Sequence, residues 1–141
     1  MEQKDYLLRE IEKIGVLMRA LRQKLFGGEK EKFSIAPEWQ IADLKEMLLG
    51  DANLDLDKLM GLDQEKTQQY FSELAGFNVA NIELLAQTLA EIGFGHHSEP
   101  FLVKALQLYE ICNQIDRTWS PERESNIRKI KEARDWLDDF N

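Results

Sequence analysis

Four oxygen-bearing side chains stand at alternate positions in Asp51-Ala52-Asn53-Leu54-Asp55-Leu56-Asp57. A calcium loop spaces its first, third, fifth and seventh ligands in this way, so that successive oxygens converge on one cation. Such a loop also needs Gly at its sixth position for the sharp turn and a bidentate Glu at its twelfth. Here those positions hold Leu56 and Leu62. The segment lacks the residues that would bend it and close the coordination shell. Its alternating Leu54, Leu56 and Leu59 predict instead a loop pinned to the core by apolar side chains. His96 and His97, with Glu99 close by, form the other metal-capable group. Adjacent histidines diverge and no second ligand cluster accompanies them, so they read as surface turn residues.

Cys112 is the single cysteine, which rules out an intrachain disulfide and a cysteine-rich zinc site. Its neighbours Leu108, Tyr109 and Ile115 predict a buried structural thiol. No Gly-x-Ser-x-Gly elbow, glycine-rich phosphate loop or His-Glu-x-x-His motif is present. The Glu-x-x-His pairs of helical di-metal carboxylate proteins are also missing. Clustered acids such as Glu10/Glu12, Glu122/Glu124 and Asp135/Asp138/Asp139 read as solvated faces. The expectation is a non-enzymatic chain with no cofactor and no metal.

The elements that carry these residues are helical throughout. Leu7, Ile11, Ile14, Met18, Leu21 and Leu25 recur at spacings of four and three, which lines one stripe of a helix. That helix is predicted from about Gln3 to Phe26. In heptad terms, Leu8 and Leu17 widen the stripe beyond a two-chain seam, and Gly15 admits another backbone. Burial within the chain is the expectation, with a homodimer interface as the alternative. A polar loop from Gly27 to Ser34 precedes a second helix opened by Pro37, carrying Trp39, Ile41, Leu44, Met47 and Leu48, and capped by Gly50. A short turn is predicted around Asp57 to Met60. Asp63 then caps a third long helix bearing Thr67, Tyr70, Phe71 and Leu74, stopped by Gly76.

Asn78 opens the next stripe, Ile82, Leu85, Leu89 and Ile92, which runs to Gly93. Gly95-His96-His97 is read as a turn. Ser98 and Pro100 start a helix whose face is Phe101, Ala105, Leu108, Tyr109, Cys112 and Ile115. Ser120-Pro121-Glu122 combines a cap, a preset φ and an acid at the positive helix end, and opens the last helix. Ile127, Ile130, Ala133 and Leu137 line that helix, with Trp136 and Phe140 to one side. Val and Ile nowhere alternate as in a strand. The predicted fold is all-α: a bundle, or a short right-handed stack of antiparallel helical hairpins, of about six helices in a single domain spanning residues 1 to 141.

Charge and hydropathy narrow the partners. The net charge of −8 over 141 residues disfavours nucleic acid and anionic membrane as the main partner. It is unevenly spread: residues 1 to 26 hold six basic and four acidic side chains, a local +2, which leaves −10 for the rest. No apolar run approaches the ~20 residues of a membrane span. Arg9, Glu10, Glu12 and Lys13 break up what a secretion signal would need, so a cytoplasmic location is expected.

Leu89, Ile92 and Gly93, followed by Ala105, Tyr109 and Cys112, resemble one tetratricopeptide-type helical hairpin in their offsets. Leu89 stands where that motif usually has Trp, and Pro121 falls four residues beyond its closing proline. Asp5-Tyr6-Leu7-Leu8-Arg9-Glu10-Ile11-Glu12 and Trp119-Ser120-Pro121-Glu122-Arg123 are similar to short bacterial helical proteins without an assigned activity. The resemblance implies a helical-hairpin scaffold. The expected function is a protein-interaction module, with Leu7, Ile11, Ile14, Met18, Leu21, Leu25, Trp39, Trp119 and Phe140 as the candidate partner surface. The alternative is a small-ligand or metal-binding helical protein using Asp51, Asn53, Asp55, Asp57, His96 and His97.

Overall fold

A computed structural model describes residues 2–27 and 37–139. Among these residues there are seven α-helices and no strand: α1 (Glu2–Phe26), α2 (Pro37–Ala52), α3 (Leu56–Met60), α4 (Gln64–Glu73), α5 (Val79–His96), α6 (Glu99–Asp116) and α7 (Pro121–Asp139). The all-α expectation holds, and the short turn around Asp57 to Met60 is a helix in its own right, α3, which brings the expected six to seven among the described residues. The polar loop expected after Gly27 lies outside the described residues, apart from Gly27 itself. The chain divides into two compact units, Met1–Asn81 and Ile82–Asn141, and the division falls within the first turn of α5.

In the first unit, Ile14, Met18, Leu21 and Leu25 of α1 are buried, with Leu44 and Leu48 of α2. Each such side chain contributes about 1.5–3 kcal/mol relative to exposure. The two helices run antiparallel. Gln40 Nε2 donates to the Leu25 carbonyl (3.3 Å), and Lys24 Nζ lies 3.9 Å from Asp43 Oδ2 at the same end. Helix α2 does not stop at Gly50 as expected. It continues to Ala52, and Asn53 makes the left-handed residue (φ 55°). Asn tolerates that conformation because its short amide bonds locally. The turn closes with the Leu54 N–H on the Leu48 carbonyl (3.0 Å).

The leucines behave as the sequence predicts: Leu54, Leu56 and Leu59 are all buried. Asp63 caps α4 by accepting from the Lys66 N–H (2.8 Å). Beyond α4 the chain passes against α1 at Gly76 (φ +91°), where a Cβ would lie 2.5 Å from the Glu10 carbonyl oxygen. Only glycine satisfies both constraints. Asn81 fastens the contact, its Nδ2 donating to the carbonyls of Ile11 (2.9 Å) and Gly76 (2.7 Å). The side chain facing Gly15 is this same Asn81, not another backbone.

In the second unit, α5 runs through Gly93 and Gly95 to His96, so the expected three-residue turn reduces to His97 (φ 51°) and Ser98. Within α5, Leu102 of α6 packs against Gly93 where a Cβ would be, at 2.7 Å, so a larger residue there would have to push it aside. Helices α6 and α7 form an antiparallel hairpin. Asp116 meets Arg123 at one end, and Glu99 lies 3.8 Å from Arg134 at the other. The start of α7 matches the sequence signal, with Ser120 Oγ accepting from the Arg123 N–H (3.2 Å). Ala105, Leu108, Tyr109 and Cys112 are buried as expected, whereas Ile115 is exposed. From Pro121 to Asn126, α7 has no aliphatic side chain to cover it; its first buried one is Ile127.

Candidate functional site

The acidic run does not assemble a site. Asp51 ends up in the last turn of α2, and Asn53 makes the left-handed turn. Asp55 caps α3 by accepting from the Lys58 N–H (3.2 Å), while its own N–H donates to Tyr70 Oη (2.9 Å). Asp57 Oδ1 sits 2.9 Å from Lys45 Nζ. Asp55 and Asp57 are held by different neighbours, and Asp51 and Asn53 belong to the end of α2 and its turn, so the four side chains are not gathered at one point. His96 is half-buried at the end of α5, and His97 is exposed with its ring 6.2 Å from that of Trp136. Among the described residues no three His, Cys, Asp or Glu side chains come together to hold a metal ion.

Cys112 is fully buried. Burial pushes its thiol up to about 12, against a smaller opposing pull from the Arg123 charge. A thiol so placed carries no thiolate at neutral pH and is no nucleophile.

Sequence reasoning missed the strongest polar constellation, which lies in the second unit. Arg123 is only 5 % exposed. Its Nε and Nη2 donate to Glu83 Oε2 (3.1 Å) and Oε1 (2.9 Å), a bidentate pair. Its Nη1 donates to Asn113 Oδ1 (3.0 Å) and Asp116 Oδ1 (3.1 Å), and Nη2 also reaches Asp116 Oδ2 (3.0 Å). The guanidinium is held charged by Glu83 first and Asp116 second, and the Asp116 carboxyl is held below its ordinary value by Arg123. All five N–H donors are engaged, so no donor remains for a ligand. This is a structural knot joining α5, α6 and α7. Nothing in the sequence pairs Arg123 with a carboxylate forty residues away; only its place after Ser-Pro-Glu put it on the first turn of α7.

The first unit carries a cleft of about 400 Å³. Glu10, Lys13 and Ile14 of α1 line one side, Gly50 to Asn53 at the end of α2 another, and Glu73, Leu74 and Ala75 at the end of α4 a third. No local pattern announces it, because its residues come from three separated segments.

The candidate partner surface splits. Ile14, Met18, Leu21 and Leu25 are buried in the folded chain, and Ile11 is half-buried. Leu7, expected to be mostly buried, is 53 % exposed, with Tyr6 and Leu8 exposed beside it. The end of α2, at Gly50 to Asn53, lies opposite Glu10, Lys13 and Ile14, so the first turns of α1 extend past it. Trp39 and Trp119 are each 73 % exposed, and Trp136 is 54 % exposed. Phe140 lies outside the described residues. Comparison with protein-family models, with curated proteins and with solved structures returns no match for this chain.

Proposed function

We propose that this chain is a non-enzymatic helical module that binds another protein through surface tryptophans. The observation that carries the reading is that every tryptophan of the chain, Trp39, Trp119 and Trp136, lies more than half exposed. Indole is among the side chains most strongly driven out of water, and cores elsewhere bury most of it. In this chain the core is built from Leu, Ile, Met, Phe and Tyr. Tryptophan is also the residue most enriched at the energetic centres of protein interfaces. Tyr6, Leu7 and Leu8 add a second exposed apolar group at the start of α1. The tetratricopeptide-like offsets of Leu89, Ile92, Gly93, Ala105, Tyr109 and Cys112 support a hairpin scaffold that displays such anchors.

The test is affinity capture from the native cell, followed by titration of the purified partner with wild-type chain and with Trp39→Ala, Trp119→Ala and Trp136→Ala. Because the indoles are exposed, each variant keeps its fold. At least one is expected to weaken binding by about tenfold or more. A partner that binds all three variants with unchanged affinity would overturn the reading, as would the capture of no protein at all.

A further inference from the structure

Helices α1 and α2 lie side by side, and one flank of the seam between them is open. Two contacts trace that flank. Lys24 Nζ approaches Asp43 Oδ2 (3.9 Å) at one end, and Lys13 faces the same cleft as Gly50 at the other. On α1 the edge reads Lys13, Leu17, Ala20 and Lys24, at spacings of four, three and four. On α2 it reads Trp39, Asp43, Met47 and Gly50, at four, four and three. Each set keeps to one helix face over about three turns. Lys13, Ala20, Trp39 and Gly50 are exposed, and Leu17 and Met47 form the floor. The opposite flanks are occupied. Asn81 sits against Gly15 of α1, and Asp57 of α3 holds Lys45 of α2 (2.9 Å).

The two sides of the seam differ in charge. Residues 13–26 of α1 hold Lys13, Arg19, Arg22 and Lys24 and no acid, in a chain of net charge −8. The α2 side carries Asp43, and Glu46 lies two turns on from Trp39 on the same face. Between these rows Leu17, Ala20, Met47 and Gly50 are apolar or small, so a third helix can approach closely. We infer that this seam docks one amphipathic helix of a protein partner. The docked helix is apolar along its contact stripe, acidic on the shoulder over α1 and basic on the shoulder over α2. Side chains at three-four spacing form ridges that fit the groove between two helices, and Trp39 at its end is the anchor. An anionic bilayer would instead meet Asp43 and Glu46 along the α2 side. Such docking rests on the chain binding through surface tryptophans and narrows that role to one of the three.

The probes are three synthetic helical peptides of three heptads with the same leucine stripe. One has a glutamate shoulder and a lysine shoulder, one has glutamate on both, and one has lysine on both. Each is titrated into the full chain carrying Trp119→Phe and Trp136→Phe, so that Trp39 alone emits, at about 0.15 M salt. The mixed peptide is expected to give a saturable blue shift, and the other two to bind at least about fivefold more weakly. Adding Lys13→Glu/Lys24→Glu, both exposed positions, should reverse the order and make the all-lysine peptide the tightest. Circular dichroism verifies that this variant keeps its helices. The docking is overturned if no saturable shift appears, if the three peptides bind alike, or if the order does not reverse. It is also overturned if sedimentation gives twice the mass of one chain and Lys13→Glu/Lys24→Glu restores the single mass, since a second copy then fills the seam. A partner captured from the native cell that responds to Trp119→Ala or Trp136→Ala but not to Trp39→Ala removes the seam and leaves the tryptophan reading standing.

Discussion

Arg123 has five N–H donors and five acceptors around it, so a neutral residue at this position leaves two carboxylates without their cation. Arg123→Leu leaves Glu83 and Asp116 facing each other near the α6–α7 hairpin and is expected to cost about 3 kcal/mol, read as a lower midpoint in urea. Asp116 gives the pH dependence. Its folded-state value lies below the ordinary 3.8, so its contribution is present above that value and is lost as pH falls through the lowered one. The difference in melting temperature between wild type and Asp116→Asn is therefore expected to stay constant above about pH 5 and to shrink below 3.8. Cys112 makes a complementary prediction on the alkaline side. With its thiol raised to about 12 by burial, it should resist a thiol reagent in the native protein at pH 8 and react fully in denaturant. Rapid modification of native protein would show that the thiol is not buried.

At the level of elements, α1 contrasts a covered and an uncovered part of the same apolar stripe. Ile14→Asp buries an unpaired charge and is expected to abolish the cooperative unfolding transition. Leu7→Asp, on the exposed turns, is expected to change stability by less than about 0.5 kcal/mol. Thermal melts followed by circular dichroism distinguish the two. Gly76→Ala, forced into a positive φ against the Glu10 backbone, is expected to cost about 1–3 kcal/mol. The helices were legible because their signals are local: the Ser120-Pro121-Glu122 start, the Asp63 cap and the four-three spacing of α1 each act within a turn or two. What was illegible depends on distant segments. The end of α2 depended on whether Asn53 or Gly50 would take the left-handed turn, and local preference points to Gly50. The glycine at 93, read locally as a helix stop, is instead a point of close approach to Leu102 within α5. The exposure of Leu7 was set by where α2 ends, and the cleft and the Arg123 knot join residues far apart in the chain.

For the whole molecule, the burial of Ile14, Met18, Leu21 and Leu25 within one chain leads to a simple expectation about assembly. Sedimentation should return the mass of one chain, 16.4 kDa, and dilution should leave the helix content unchanged. A mass of two chains that falls on dilution together with helix would place the stripe across a two-fold axis instead. The placement of the indoles has an optical consequence. Trp39 and Trp119 are largely in water when the chain is folded, Trp136 is about half so, and all three are in water when it is not. Emission from the native protein should already resemble that of a solvated indole, and denaturation, plain in the far-ultraviolet signal of the helices, should scarcely move it. The indoles of this protein are nearly blind to its own folding and are placed to register whatever comes to cover them.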